Sequence, residues 1–366
     1  MYQDISKQTL DTLRLIRSDN IGPKTFCDLI KIFGTPTKAL EHIQNKKNTT
    51  SKIKLAAEAE IQEEIEKIHN NNAFILSCFD RDFPELLKET PGYPPIITIK
   101  GRIDLLKQDK IAIVGSRNAS TNGMNFAYQI AQELSQYVIC SGLARGIDTY
   151  AHMGSIKNGT IAVIAGGIDN IYPPENKKLY EEITTEGLLI TESAFGTVPK
   201  PQNFPSRNRI ISGLSLATII VEANIKSGSL ITAKFALEQN REIFAVPGFP
   251  LDQRYSGTNK LIKEGAHLFE SVADVKNVLE GFQTQHPKHN PQIELFEYDT
   301  FTESDCLDSN TIRNEVLKSL TTTPTSFDNL ARILHFPRKL LHLTIVELEL
   351  EGNIKRIGLN HFITIL

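Results

Sequence analysis

Residues 110–151 read KIAIVGSRNASTNGMNFAYQIAQELSQYVICSGLARGIDTYA. Residues 111–114 and 138–140 are continuous apolar runs rich in β-branched side chains, and residues 124–136 between them have the length and spacing of a helix. Strands covered by helices on both faces read this way, whereas a strand with one wet face alternates. A strand, a crossover helix and a second strand are therefore predicted, which is the unit of a parallel sheet. Working outward, further short apolar runs stand at residues 74–77, 96–99, 161–164, 188–191, 218–221 and 243–246, with a helix at 230–239. The alternation predicts an α/β domain over residues 73–281, an extended Rossmann-like, doubly wound and mostly parallel sheet with right-handed crossovers. In such sheets ligands sit beyond the carboxyl ends of the strands. The turns that follow the strands are where function is expected.

The flanks read differently. Over residues 1–72, Leu10, Leu13 and Ile16 recur at helical spacing, as do Ile61, Ile65 and Ile68, and Pro23 suits the first turn of a helix. A small helical domain is predicted there. Residues 311–366 give a helix through Ile312, Val316 and Leu320, a second through Phe327, Leu330 and Ile333, and a third through Leu341, Ile345 and Leu348. Two β-rich runs around Gly358-Leu359-Asn360 follow, so the order is that of a winged helix-turn-helix. Between the α/β region and this unit, residues 282–310 hold six acids against Lys288 alone, and they read as a solvated acidic linker. The formal net charge of −3 is thus smaller than the linker's own −5, which leaves the remainder slightly basic and open to local cationic patches.

The N-terminal MYQDISKQTLDTLRLIR has no basic stretch followed by an apolar one, and no run approaches the roughly 18 apolar residues of a membrane span. Cys27, Cys78, Cys140 and Cys306 are far apart with no CxxC pair, so neither a zinc site nor a disulfide framework is expected. The cytoplasm is the expected location.

Four strand-end turns carry the candidate chemistry. The first, Gly115-Ser116-Arg117-Asn118, precedes a helix expected to begin after Thr121-Asn122-Gly123, and no acid occurs over residues 111–132. Small residues let a ligand approach the backbone, a helix N-terminus favours an anion, and an arginine can grip a phosphate through two hydrogen bonds. The second turn, Ser141-Gly142-Leu143-Ala144-Arg145-Gly146-Ile147-Asp148, repeats the pattern, with Asp148 either capping the next helix or pairing with Arg145. His152 lies one turn further on; with no nucleophile beside it, a packed or locally bonded role is expected. The third, PKPQNFPSRNRIISGLS, holds Lys200, Phe204, Arg207 and Arg209, with no acid over residues 193–221. Cations interleaved with an aromatic suit a polyanion with stackable bases. Of Arg207 and Arg209, one is expected to bind phosphate while the other braces the sheet. The fourth runs through Lys226-Ser227-Gly228-Ser229 to a helix, either a second anion-binding turn or an ordinary serine cap. Glu192 and Glu222 flank the third site and are expected to steady an arginine. Turns of this kind along one sheet edge suit an extended anion better than one nucleotide.

No GxGxxG follows a strand, and no GxxxxGK[ST], GxSxG or HExxH occurs, so dinucleotide, ATP, serine-hydrolase and zinc-protease chemistry lack their signatures. No cofactor or metal is expected.

The strings VGSRNAST, SGLARGIDTYAH, GGIDNIYPPEN, TESAFG, FPSRNRIISGLS, VEANIKSGSLITA and FAVPG together resemble the DNA-processing protein A (DprA/Smf) family over about residues 110–268. The resemblance implies a non-enzymatic protein that binds single-stranded DNA without sequence preference, protects incoming strands and delivers them to the recombinase RecA in natural transformation. It implies strand contacts at Arg117 and over Lys200, Phe204, Arg207 and Arg209, to which the reading of the turns adds Gly115, Ser116, Arg145, Lys226, Ser227, Gly228 and Ser229. It further implies a homodimer through LIKEGAHLF, with Leu261, Ile262 and Leu268 as anchors, although these residues suit an intramolecular core equally. The N-terminal segment resembles a sterile-alpha-motif or helix-hairpin-helix module, and the C-terminal one the winged helix of some members. There Arg338, Lys339, His342, Lys355 and Arg356 are diluted by Glu347, Glu349 and Glu351, so duplex reading competes with protein docking. The enzymatic alternative is a nucleoside-monophosphate hydrolase, but SGSLITA lacks the glutamate that such enzymes carry. A transcription factor would need a more basic third helix than one filled by Leu340, Leu341 and Leu343.

Overall fold

A computed structural model describes residues 5–47, 54–285, 309–357 and 360–365. The chain divides into two compact units. One runs from Gln62 through the α/β region; the other joins Ser6–Ile61 to the C-terminal segment. The two terminal segments, expected as separate domains, cluster together in the second unit. Most of the acidic linker, with Cys306, lies outside the described residues.

The N-terminal segment forms α1 (Lys7–Ile16), α2 (Pro23–Phe33), α3 (Pro36–Lys47) and α4 (Glu58–Asn70), the last of which contains the unit boundary. There follow β1 (Phe74–Ser77), α5 (Glu85–Lys88), β2 (Ile96–Gly101), β3 (Lys110–Val114), α6 (Thr121–Glu133), β4 (Val138–Ser141) and α7 (Ile147–Ser155). Next come β5 (Thr160–Val163), α8 (Lys177–Glu186), β6 (Leu188–Thr191), α9 (Asn203–Leu214), β7 (Ala217–Ile220) and α10 (Ser229–Glu238). The unit ends with β8 (Glu242–Ala245), α11 (Ser256–Lys263), β9 (His267–Leu268) and α12 (Val272–Gln285).

The sheet order is β1-β2-β6-β5-β4-β3-β7-β8-β9. The strands from β6 to β9 in that order are mutually parallel, and β2 and then β1 add antiparallel at one edge. From β3 the chain winds outward through β4, β5 and β6, then returns to lay β7 on the other side of β3. The winding direction therefore reverses between β3 and β7, where an open α/β sheet forms a crevice. The central strands are buried along their whole length because both faces are covered. One face packs Ile111, Ile113, Ile139, Ile219 and Phe244 against α6, α7 and α12. Phe244 meets Phe269 edge-on at 6.3 Å, a geometry the aromatic quadrupole favours.

In the second unit, α13 (Ser309–Ser319), β10 (Thr325–Ser326), α14 (Phe327–Leu334), α15 (Arg338–Leu350), β11 (Ile354–Ile357) and β12 (His361–Thr364) form the winged helix. Its sheet is β10-β12-β11, and Ile312, Val316, Leu330, Leu341, Ile345, Leu348, Ile354 and Phe362 fill its core. Of the hairpin turn, Gly358 and Leu359 lie outside the described residues.

Phe244→Ala removes a fully buried ring from the sheet's central layer. It should lower unfolding stability by about 3–5 kcal/mol, read from urea melts.

Candidate nucleic-acid interface

At the carboxyl edge of the sheet, the first two turns are pressed together. Gly146, with φ +77°, lies under the carbonyl of Ser116; a Cβ there would stand 2.3 Å from that oxygen. Gly115 packs as closely on Ile147, where a Cβ would meet Cγ1 at 2.6 Å. Glycine is required at both positions because backbone meets its neighbour without room for a side chain.

Helix α6 starts at Thr121, earlier than expected, because Ser120 caps it, accepting from the Gly123 N–H at 3.0 Å. The Ser120 N–H donates to Glu222 Oε2 at 2.9 Å, the Ser120 hydroxyl donates to Oε1, and the Tyr255 hydroxyl donates to Oε1 at 3.1 Å. A Cβ on Gly123 would lie 2.4 Å from the same carboxylate, so this glycine admits Glu222 rather than making a turn. The anion favoured at the N-terminus of α6 is thus the protein's own. Glu222, fully buried, steadies a helix and not the arginine expected of it. Glu192 does pair with an arginine, Arg209, and both are largely shielded. Arg209 thereby braces α9 against the end of β6 and does not face the edge as a free cation, contrary to its expected place among strand contacts.

Arg207 is 5% exposed. Its Nη1 donates to the carbonyls of Gly142 and, at 2.5 Å, Val163, so it ties the ends of β4 and β5 together. Gly142 makes that possible, since a Cβ would lie 2.1 Å from Nη1. Burial pushes the guanidinium down to about 10, opposed by the nearby Asp148 charge, and it remains cationic at neutral pH. Its Nε has no hydrogen-bond partner. Asp148 accepts from the Gly142 and Ala144 N–H groups at 3.1 and 3.4 Å and so shapes its own loop, neither capping α7 nor pairing with Arg145. Burial raises its pKa, against the pull of Arg207 and those amides.

His152 is fully buried behind this loop. Its Nε2 accepts from the Leu143 N–H at 3.3 Å, and its Nδ1 lies 2.7 Å from Thr160 Oγ1. Thr160 donates its own proton to the Ile139 carbonyl, which leaves Nδ1 as the protonated nitrogen of a neutral ring. Burial, reinforced by Arg207, pushes the imidazole down to about 3. Leu143, held at φ +56°, is the residue this histidine fixes.

Above this floor the edge is open. Arg117, exposed, lies over the Phe204 ring at 4.8 Å, and Phe204 leans on Tyr172 with centroids 5.7 Å apart. Arg207 stands 6.0 Å from the same ring, on its way to the buried end. Two adjoining depressions of about 290 and 610 Å³ share Arg117, Tyr172, Phe204 and Arg207. Arg145 lines the first; Gly115, Ser116, Ser227, Gly228 and Ser229 line the second. The N-terminus of α10 has no side-chain cap at Gly228, and Ser227 and Ser229 hydroxyls sit 2.7 Å apart beside it. Lys200 and Lys226 are exposed but lie outside both linings. Arg117 and Arg145 have no carboxylate partner among the described residues, so their charge faces solvent. Leu268 is 43% exposed on β9, at the far edge of the sheet, whereas Leu261 and Ile262 are half-buried. Sequence reasoning passed over Tyr172, although it lay within the quoted GGIDNIYPPEN.

Folded His152 stays neutral down to about pH 3, while the unfolded ring takes a proton near 6.5. The unfolded state binds more protons across that window, so this group's stabilisation is complete above pH 6.5 and is lost as the pH falls toward 3. His152→Asn should remove a slope of up to about 1.4 kcal/mol per pH unit from urea stabilities measured between pH 6 and 4.

The family model of DNA recombination-mediator protein A matches residues 74–280. A DprA-like N-terminal HHH domain matches residues 6–66, and a DprA winged helix domain matches 307–358. DNA processing protein DprA of Streptococcus pneumoniae is 45% identical over 202 residues, 54% of this chain and 72% of that one. Its crystal structure superposes with a TM-score of 0.64 at 33% identity, covering 75% of this chain and 98% of that one. DNA processing protein A from Helicobacter pylori, solved for its single-stranded DNA binding mode, gives 0.52 at 30% identity over 57% of this chain and 96% of that one. With a matching core, a matching N-terminal domain and a matching winged helix in one order, the chain belongs to the DNA recombination-mediator protein A (DprA/Smf) family.

Proposed function

We propose that the carboxyl edge of the sheet is a track for single-stranded DNA, read without regard to base sequence, and that the protein serves recombination by handing the strand to RecA in the cytoplasm. The observation that carries this reading is the Arg117–Phe204–Tyr172 cluster, in which Arg117 and Tyr172 are exposed and Phe204 half-buried, standing near the buried Arg207 cation. A flat aromatic face accepts any base, and cations beside it follow the phosphates. The serine turn at the start of α10, where the Ser229 N–H donates to Ser227 Oγ at 3.4 Å, extends the same edge and offers its hydroxyls to a second phosphate. Arg117, Arg145, Phe204 and the serine turn are the proposed direct contacts, with Lys200 and Lys226 flanking them. Arg207 supplies charge from beneath, and Arg209 supports it. The Helicobacter protein's association with single-stranded DNA and the family's recombination-mediator description support this assignment. Asp148, Glu192 and Glu222, the acids nearest the turns, are each bonded within the protein, and Glu175 at the rim of the first depression stands without a serine, cysteine or histidine beside it in that lining.

Two copies are proposed to meet at the β9 edge. Leu268 and Leu237 are exposed there, 43% and 69%, beside a groove of about 650 Å³ lined by Leu230, Leu261 and the His267–Glu242 pair. Two copies lengthen the track and raise avidity for a long strand.

In fluorescence anisotropy with labelled oligo-dT, affinity should fall steeply with salt. Phe204→Ala and Arg117→Ala should each weaken binding roughly tenfold, as expected for loss of one stacked base or one phosphate contact. The loss should be equal for oligo-dT, oligo-dA and mixed sequence. Unchanged affinity in the double variant, or loss confined to one base composition, overturns the assignment. Leu268→Asp should give monomers in sedimentation while leaving binding of a short oligonucleotide within about twofold. A dimer that persists overturns the proposed pairing.

A further inference from the structure

Helix α15 reads RKLLHLTIVELEL. Leu341, Ile345 and Leu348 recur at spacings of four and three and fill the core of the winged helix. A helix that reads DNA would leave its opposite side polar and open, because the second helix of a helix-turn-helix lies in the major groove. Here the other side is closed. Val346 is fully buried, Leu350 is 3% exposed and Thr344 6%, yet none of them belongs to the winged helix's own core. A helix apolar on both sides is packed on both sides.

The second partner is the N-terminal segment, through α2. Asp28 of α2 pairs with Arg356 of β11 at 2.7 Å, and Arg356 also pairs with Glu349 of α15 at 2.9 Å. His342 of α15 lies 3.6 Å from the other Asp28 oxygen. To the sides, His42 of α3 meets Glu347 at 3.3 Å, and the Asn20 side-chain amide donates to the Leu350 carbonyl at 3.2 Å. The Asp28, Arg356 and Glu349 side chains are only 10–15% exposed. Two of the residues that gave the winged helix its basic character, Arg356 and His342, therefore face Asp28 of α2. Arg338, at the first turn, pairs with Asp328.

We propose that the winged helix is an intramolecular clasp: α15 and β11 hold α2 of the same chain on the face that other winged helices present to duplex DNA. The buried charges fix the register, since Asp28 fits only where Arg356 and His342 converge. The C-terminal domain accordingly fixes the arrangement of the N-terminal helices and leaves DNA to the α/β unit.

The test uses the full chain and hydrogen exchange read by mass spectrometry. Asp28→Arg should raise exchange at least tenfold in α15 and β11 as well as in α2, while β3, β4 and β5 keep wild-type protection. Arg356→Glu should do the same. The double exchange, Asp28→Arg with Arg356→Glu, should restore most of the protection, because the swapped charges again face each other across α2 and β11. Loosening of α2 with α15 unchanged overturns the clasp, as does a double variant no better protected than the singles. In a second measurement, Arg338→Ala with Lys339→Ala in the otherwise wild-type chain should change duplex affinity less than twofold. A tenfold loss would show that α15 reads DNA in the closed chain, and the proposal fails.

Discussion

A guanidinium buried beneath the carboxyl edge of a parallel sheet is costly unless its donors are met. Arg207 offsets that cost with the carbonyls of Gly142, just past β4, and Val163, the last residue of β5. The rest of the edge is arranged around this one contact. Gly142 has no side chain because the guanidinium occupies that space, and Asp148 lies close enough to oppose the guanidinium's loss of charge while it ties up the amides of the same loop. Leu143 is held in a left-handed conformation by a histidine that cannot protonate there at neutral pH. Held rigid from below, the loop leaves Arg145 outside, while its own carboxylate, Asp148, is bonded to the loop's amides at the floor of the second depression. The same α9 that lowers Arg207 into the sheet raises Phe204 to its mouth, three residues earlier.

The second constraint concerns the seat that a mononucleotide's phosphate would use. In a doubly wound fold the first strand-to-helix turn is the natural seat of a phosphate, at the N-terminus of the helix that follows. Here that seat belongs to Glu222, held by Ser120 and Tyr255, with Gly123 kept bare to admit it. The fold thus retains its crevice at the reversal between β3 and β7 but has filled the dipole position that a nucleotide would use. What stays open is lateral: an aromatic pair on one side, the serine turn before α10 on the other. Such a groove suits a chain that passes along the edge better than a molecule that enters it end-on.

How much of this could be read from residues alone follows from the range of each interaction. The strands were legible because parallel strands buried on both faces leave continuous apolar runs, and residues 111–114 or 218–221 admit little else. The strand-end turns were legible because small residues and arginines cluster locally. The roles within them were not. Ser120 and Glu222 are 102 positions apart, so nothing near Gly123 shows that it accommodates a carboxylate. Arg207 and Arg209 look alike in sequence; only the positions of β4, β5 and Glu192 decide that one lies under the crevice and the other braces a salt bridge. Tyr172 lay in a quoted motif, but its contact with Phe204 depends on a loop and the start of α9 meeting in space.

The same reasoning accounts for the union of the chain's two ends. Each terminal segment is roughly 60 residues long, a size at which a single core buries too little apolar surface to be more than marginal. The sequence shows the symptom on one side: Leu340, Leu341, Leu343, Val346 and Leu350 give α15 more apolar surface than one small core can cover. The complement is Asp28 on α2, an acid that looks ordinary in sequence and is buried in the fold. Buried ion pairs add little net stability compared with apolar replacements of the same shape, but they penalise every misaligned packing by leaving a charge without its partner. Apolar excess therefore supplies the adhesion between the two segments, and Asp28 with Arg356 selects the single register in which they adhere.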